Sequence, residues 1–113
     1  KISVYNNGEM YRDFTYIDDI ISGLLIALQR NYKCSIFNLG SNKQESLMRV
    51  IKIMESELGK KAKIKYLGMQ KGDVKSTEAD LIKAKKKLLY IPKIRIDEGI
   101  PKFINWFKEY KRF

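Results

Sequence analysis

The chain has 113 residues, enough for one modest domain and too few for two cores of ordinary size. It carries 18 Lys and 5 Arg against 6 Asp and 7 Glu, for a net charge of +10, with no His and a single cysteine, Cys34. An internal disulfide, a His-based metal site and a Ser-His-Asp triad are thereby excluded within the chain, and no run of about 20 apolar residues is present to span a membrane.

The predicted elements alternate between short strands and helices. Residues 2–5 alternate at period two and stop at Asn6-Asn7-Gly8, a turn signal. Residues 14–16 form a short extended piece. Ile17, Ile20, Ile21, Leu24, Leu25 and Leu28 then recur at helical spacing, which predicts an amphipathic helix with Asp18 and Asp19 in its first turn. Residues 35–40 read as a buried strand ending in a glycine turn. A second helix follows, with Leu47, Val50, Ile51, Met54 and Leu58 on one face and Gly59 at its end. Residues 64–67 predict another strand, and 68–76 a loop. Asp80 is placed to cap a third helix ending at 88 or 89, before Pro92. Asp97 is placed to cap a fourth, with Pro101 early in it and Ile100, Phe103, Ile104 and Phe107 on its apolar face.

This order predicts an α/β fold of short strands and about four helices, with a right-handed βαβ unit from 36–39 to 64–67. Three short strands give four helices little sheet to cover, so the chain is expected to lean on more protein than it contains. With 44 % hydrophobic residues it suits a packed core rather than disorder. No signal-peptide pattern follows Lys1, so a soluble protein of a reducing, cytoplasmic compartment, or a piece of one, is expected.

The basic excess admits a nucleic-acid partner. Against that stands the preference for Lys over Arg, together with 15 Ile, a bias that an AT-rich coding sequence produces by itself. Phosphate readers favour the planar fork of Arg. Cys34 has no His to activate it and is taken as structural. Neither the P-loop pattern, nor the dinucleotide fingerprint, nor a Tyr-x-x-x-Lys pair is present.

Three polar clusters remain. Arg12-Asp13-Phe14-Thr15-Tyr16-Ile17-Asp18-Asp19-Ile20, read alone, is an Arg–Asp pair with first-turn acids. Asn38 in Phe37-Asn38-Leu39-Gly40 sits where an open α/β sheet faces its ligand crevice. Met69-Gln70-Lys71-Gly72-Asp73-Val74, with Thr77-x-Ala79-Asp80, reads alone as a surface turn and a cap.

Taken in order, with Glu57-Leu58-Gly59-Lys60-Lys61-Ala62, Lys83-Ala84, Tyr90-x-Pro92 and Glu98-Gly99-Ile100 between and after them, these clusters resemble the C-terminal part of an NAD-dependent nucleotide-sugar epimerase/dehydratase. Such enzymes are extended short-chain dehydrogenases/reductases with a Rossmann-type parent fold. The wording is most similar to the UDP-glucuronate 4-epimerase branch. The resemblance spans essentially the whole chain and implies a UDP-sugar-binding segment. The NAD loop and the Tyr-x-x-x-Lys pair would come from an N-terminal domain absent from this chain. It also implies that the parent oxidises the sugar at C4 with NAD as hydride acceptor and then re-reduces the keto intermediate on its other face. Arg12 is implied as a diphosphate contact, its guanidinium suited to two phosphate oxygens. Asn38 is implied as a second phosphate neighbour, and Asp73 as an acceptor for ribose hydroxyls. Gln70 stands where galactose-type epimerases carry an Arg, which removes one cation from the clamp. No catalytic, cofactor-binding or metal-binding residue is expected in this chain, so alone it should not catalyse. A basic nucleic-acid module and a non-catalytic remnant of a split gene are the alternatives. Self-association, by exchange of the 2–5 strand, is the further expectation.

Overall fold

The computed structural model of the chain describes residues 1–112. Strand β1 (Ile2–Val4) leads through a tight turn over Asn6–Gly8 into β2 (Tyr11–Asp13). Helix α1 (Ile17–Arg30), β3 (Gln44–Ser46), α2 (Leu47–Leu58) and β4 (Ile64–Tyr66) follow, and α3 (Ile82–Leu88) and α4 (Ile96–Lys111) complete the order. The strands form two two-stranded sheets. β1 pairs in parallel with β4, Ser3 opposite Lys65, and β2 pairs antiparallel with β3, Arg12 opposite Glu45. The 2–5 strand foreseen as exchangeable thus has its partner inside the chain.

The α/β class and the four helices stand as read from sequence, but several strand assignments do not. Residues 14–16 are irregular, and the strand lies three residues earlier at Tyr11–Asp13. The expected strand at 35–40 forms no ladder, so the βαβ unit from 36–39 to 64–67 is absent. Phe37 and Leu39 pack inward while Ile36 is 82 % exposed. The apolar run is there, but the described residues offer it no neighbouring strand. Cys34 is exposed rather than packed.

The helix ends have local causes. Ser46 Oγ accepts from Arg49 N at 3.0 Å and caps α2, and Gly59, at φ +61°, closes it. Asp80 Oδ1 accepts from Ile82 N at 2.9 Å, just ahead of α3, whose boundary residue is Leu81. Asp97 lies inside the first turn of α4, after the boundary residue Arg95, and its carboxylate takes the fork of Arg49 at 2.8 and 2.6 Å. Arg49 also holds the buried Glu45. Burial alone would push the Glu45 carboxyl up, but Arg49 and Lys43 hold it below the usual range. This ion network ties β3 and α2 to the start of α4. Val50 and Ile51 of α2 and Ile104 of α4 are buried beside it.

The main core gathers Leu81, Ala84, Leu88 and Tyr90, with Ile26, Ala27, Phe37, Leu39 and Ala79 packed around them. Helix α1 meets this core with Gly23, Ile26 and Ala27. A Cβ on Gly23 would lie 2.7 Å from Leu39 Cδ2 and 3.0 Å from Tyr90 Cδ2, so the helix sits close because glycine stands there. Of the stripe that the periodicity assigns to a buried face, Ile20 is half-buried, while Ile17, Ile21, Leu24, Leu25 and Leu28 point away and are exposed. The molecule is correspondingly open. Its surface is 8374 Å², where about 6,500 Å² is ordinary for the mass. Its radius of gyration is 16.5 Å against about 13 Å for a compact chain of this length.

Candidate functional site

Strand β2 organises the polar clusters, because successive side chains of a strand leave on opposite faces. Segment 73–80 runs beside it, with Tyr11 N donating to Lys75 O at 2.9 Å and Thr77 N donating to Tyr11 O at 3.2 Å. The two polar residues of β2 therefore serve two different environments.

Arg12 points to the 70–75 turn. Its Nη1 donates to the carbonyls of Tyr11 and Lys75, at 2.8 and 3.2 Å, and its Nη2 donates to Asp73 Oδ1 at 2.8 Å. A guanidinium has five N–H donors, so among the described residues two remain open: the Nε–H and one on Nη2. Asp73 is set by its turn. Its N–H donates to Gln70 O at 3.1 Å, Gly72 supplies the left-handed φ of +83°, and Oδ1 also accepts from Val74 N at 2.8 Å. Among the described residues Oδ2 has no partner. Both side chains are about one third exposed or less. The result is an ion pair with two free donors and one free acceptor, open to solvent.

Asp13 points the other way and is saturated. Its Oδ1 accepts from Ser41 N at 2.8 Å, Ser41 Oγ at 2.7 Å and Thr15 Oγ1 at 3.0 Å. Its Oδ2 accepts from Asn42 N at 3.0 Å and Ala79 N at 3.1 Å. Burial would raise its pKa, but the bonds from Ser41, Ala79 and Thr15 outweigh this and hold it below the ordinary value. The buried Tyr90 continues the frame, its hydroxyl donating to Gly40 O at 2.8 Å. Burial pushes that phenol up to about 12, with the charges of Asp19 and Asp13 acting in the same direction. Asp19 is itself buried and accepts from Lys93 N and Ile94 N at 3.0 and 2.9 Å.

Of the four residues singled out from sequence, the structure brings three together. Arg12 and Asp73 are in direct contact, and Gln70 closes the same turn through its carbonyl while its side chain is exposed. Asn38 is held at the far end of the 73–80 segment, with Nδ2 donating to Asp80 O at 3.4 Å. Sequence reasoning missed the frame of Asp13, Ser41, Ala79 and Tyr90 as a unit. Its only signal was that Asp13, Gly40 and Tyr90 fall within the quoted motifs. An apolar groove of about 290 Å³ runs between residues 14–17 and the first turns of α4, and none of the four residues lines it. Among the described residues no cluster of three or more His, Cys, Asp or Glu is placed to hold a metal, and no helix is long and apolar enough to cross a membrane.

The α/β arrangement recurs in solved extended short-chain dehydrogenase/reductase structures. A UDP-glucuronic acid 4-epimerase from Bacillus cereus, in complex with UDP-glucuronic acid and NAD, matches 96 % of the chain with a TM-score of 0.81 at 33 % identity, over 35 % of its own length. A UDP-glucose 4-epimerase from Thermotoga maritima, with UDP-glucose, matches 98 % with a TM-score of 0.86 at 27 % identity, over 36 % of its length. The family model described as NAD dependent epimerase/dehydratase matches residues 1–40. In sequence, a UDP-glucuronate 4-epimerase of Thermodesulfobacterium geofontis is 46 % identical over 109 residues, 96 % of this chain and 33 % of that protein. The chain belongs to the NAD dependent epimerase/dehydratase family, and corresponds to a C-terminal part of its members. It spans about a third of the length of the curated relatives it matches.

Proposed function

We propose that the chain is the UDP-sugar-binding, C-terminal segment of an NAD-dependent UDP-sugar 4-epimerase, with UDP-glucuronate as the sugar nucleotide. The observation that carries this reading is the Arg12–Asp73 pair, which presents two open N–H donors beside an open carboxylate oxygen. That combination suits a ligand with phosphate oxygens next to hydroxyls. Arg12 is assigned to the diphosphate and Asp73 to the ribose hydroxyls. Gln70 lines the turn between them, and Asn38 approaches the phosphates from the Asp80 side. Relatives of similar sequence and structure are UDP-glucuronate 4-epimerases, which supports the choice of sugar nucleotide.

These residues position and do not transfer protons or hydride. When bound, NAD supplies reversible oxidation at C4 of the sugar. Nothing among the described residues fits it: α1 and α2 begin after Tyr16 and Ser46, without a glycine-rich turn. Its site, a Rossmann domain, is assigned to sequence outside this chain. No step of the reaction is therefore placed on residues here, and the chain by itself is inactive.

Titration of the chain with UDP, followed by amide NMR, tests the reading. Binding that perturbs residues 70–75 and is lost in Arg12→Gln is expected. Absence of UDP binding, or epimerisation of UDP-glucuronate by the isolated chain with added NAD, would overturn it.

A further inference from the structure

We infer that the Arg12–Asp73 ion pair is a selectivity device. It lets an anion settle on Arg12 only when the same ligand also brings hydroxyl donors to Asp73. The inference rests on the nucleoside-diphosphate reading and adds to it a reason for rejecting bare phosphates.

Both members of the pair are fixed. Arg12 is anchored from behind, since both N–H groups of Nη1 are spent on the carbonyls of Tyr11 and Lys75. Asp73 is anchored by the Gln70–Asp73 turn and by Val74 N on Oδ1. The open donors of Arg12, on Nε and Nη2, belong to the same guanidinium whose Nη2 already holds the Asp73 carboxylate at 2.8 Å. An anion that takes these donors therefore comes to rest beside a second negative charge. The pair is part-buried, so solvent screens that repulsion less than it would on a bare surface.

Inorganic pyrophosphate has nothing to offer in return. A nucleoside diphosphate has ribose hydroxyls next to its phosphates, and these can donate to Asp73 Oδ2, which has no partner among the described residues. The hydroxyls turn the obstacle into a contact. Gln70 sharpens the effect, because a neutral side chain occupies the turn where a second cation would have offset Asp73. Lys71 and Lys75 stand in the same exposed loop and attract any anion alike, so discrimination falls to the pair.

The test is a set of titrations of the 113-residue chain with UDP and with inorganic pyrophosphate, at one ionic strength. Asp73→Asn keeps an oxygen acceptor for Val74 N, removes the charge and replaces the open Oδ2 by an NH2 group. It is expected to bind pyrophosphate about tenfold more tightly than the natural chain, with no gain for UDP. Adding Arg12→Gln should erase the gain. Unchanged pyrophosphate affinity in Asp73→Asn overturns the device, as does a gain that survives Arg12→Gln, since that gain would belong to the lysines. If UDP binds the natural chain but pyrophosphate affinity does not move, the device falls and the proposed function stands. If UDP does not bind but Asp73→Asn gains pyrophosphate through Arg12, the proposed function falls and the selectivity for nucleoside diphosphates falls with it, leaving only the exclusion of bare anions from Arg12 by Asp73.

Discussion

The two faces of β2 differ by one residue step and by nearly everything else. On one, Asp13 accepts five hydrogen bonds from Thr15, Ser41, Asn42 and Ala79. On the other, Arg12 and Asp73 meet through one bond and leave two donors and an oxygen open. Both are carboxylate-centred polar clusters built from the same motifs. A carboxylate whose lone pairs are all taken by its own chain is a joint, and one that keeps a lone pair free is available to a ligand. The difference separates the scaffold from the proposed site without reference to any bound molecule.

Substitutions sharpen that contrast. The largest effect is expected for Asp13→Ala, which strips the acceptor from three backbone N–H groups and two hydroxyls. A loss of about 3 kcal/mol in urea unfolding is expected. A loss below about 1 kcal/mol would break the distinction. Gly40→Ala comes next. Its Cβ would stand 2.6 Å from Ala79 Cβ and 2.9 Å from Asp13 Oδ2, so the joint must open. A thermal melt should register about 1–3 kcal/mol.

The acid limb follows from the direction of the shifts. Asp13 and Glu45 are both held below their ordinary values of 3.8 and 4.5. The stability they confer is complete above those values and is lost as pH falls through the lower folded ones. Asp13→Asn should therefore flatten the fall in stability below about pH 4, measured by circular dichroism. The smallest stability effect is expected on the open face. Arg12→Gln should cost no more than about 1 kcal/mol, because a part-exposed ion pair contributes little, while UDP binding is lost. A stability loss as large as that of Asp13→Ala would make Arg12 part of the scaffold.

What the sequence disclosed divides along physical lines. The helices were legible because their periodicity and end signals are local: Gly59, at φ +61°, closes α2 where it was expected to. Of the three-residue strands, β1 and β4 lie within the runs expected at 2–5 and 64–67, whereas β2 and β3 were not legible, since Tyr11–Asp13 and Gln44–Ser46 carry no apolar alternation. The run at 35–40 was legible as apolar, but a strand needs a neighbour, and none lies among the described residues. The direction of α1 was hidden because its core-facing side is built of Gly23, Ile26 and Ala27, a thinner signal than the Ile and Leu of the opposite stripe. Arg12, Asn38, Gln70 and Asp73 emerged only through resemblance to a family. The contact between Arg12 and Asp73 spans 61 positions and has no local signature, and the partners of Asp13 lie up to 66 positions away.

The exposed stripe of α1 has a calorimetric consequence. The heat capacity increment of unfolding reflects apolar surface newly given to water, and Ile17, Ile21, Leu24, Leu25 and Leu28 already meet water in the folded chain. Scanning calorimetry should therefore find an increment below the roughly 1.4–1.7 kcal/mol/K ordinary for this length. The curve of stability against temperature would then be flatter than that of a fully packed domain.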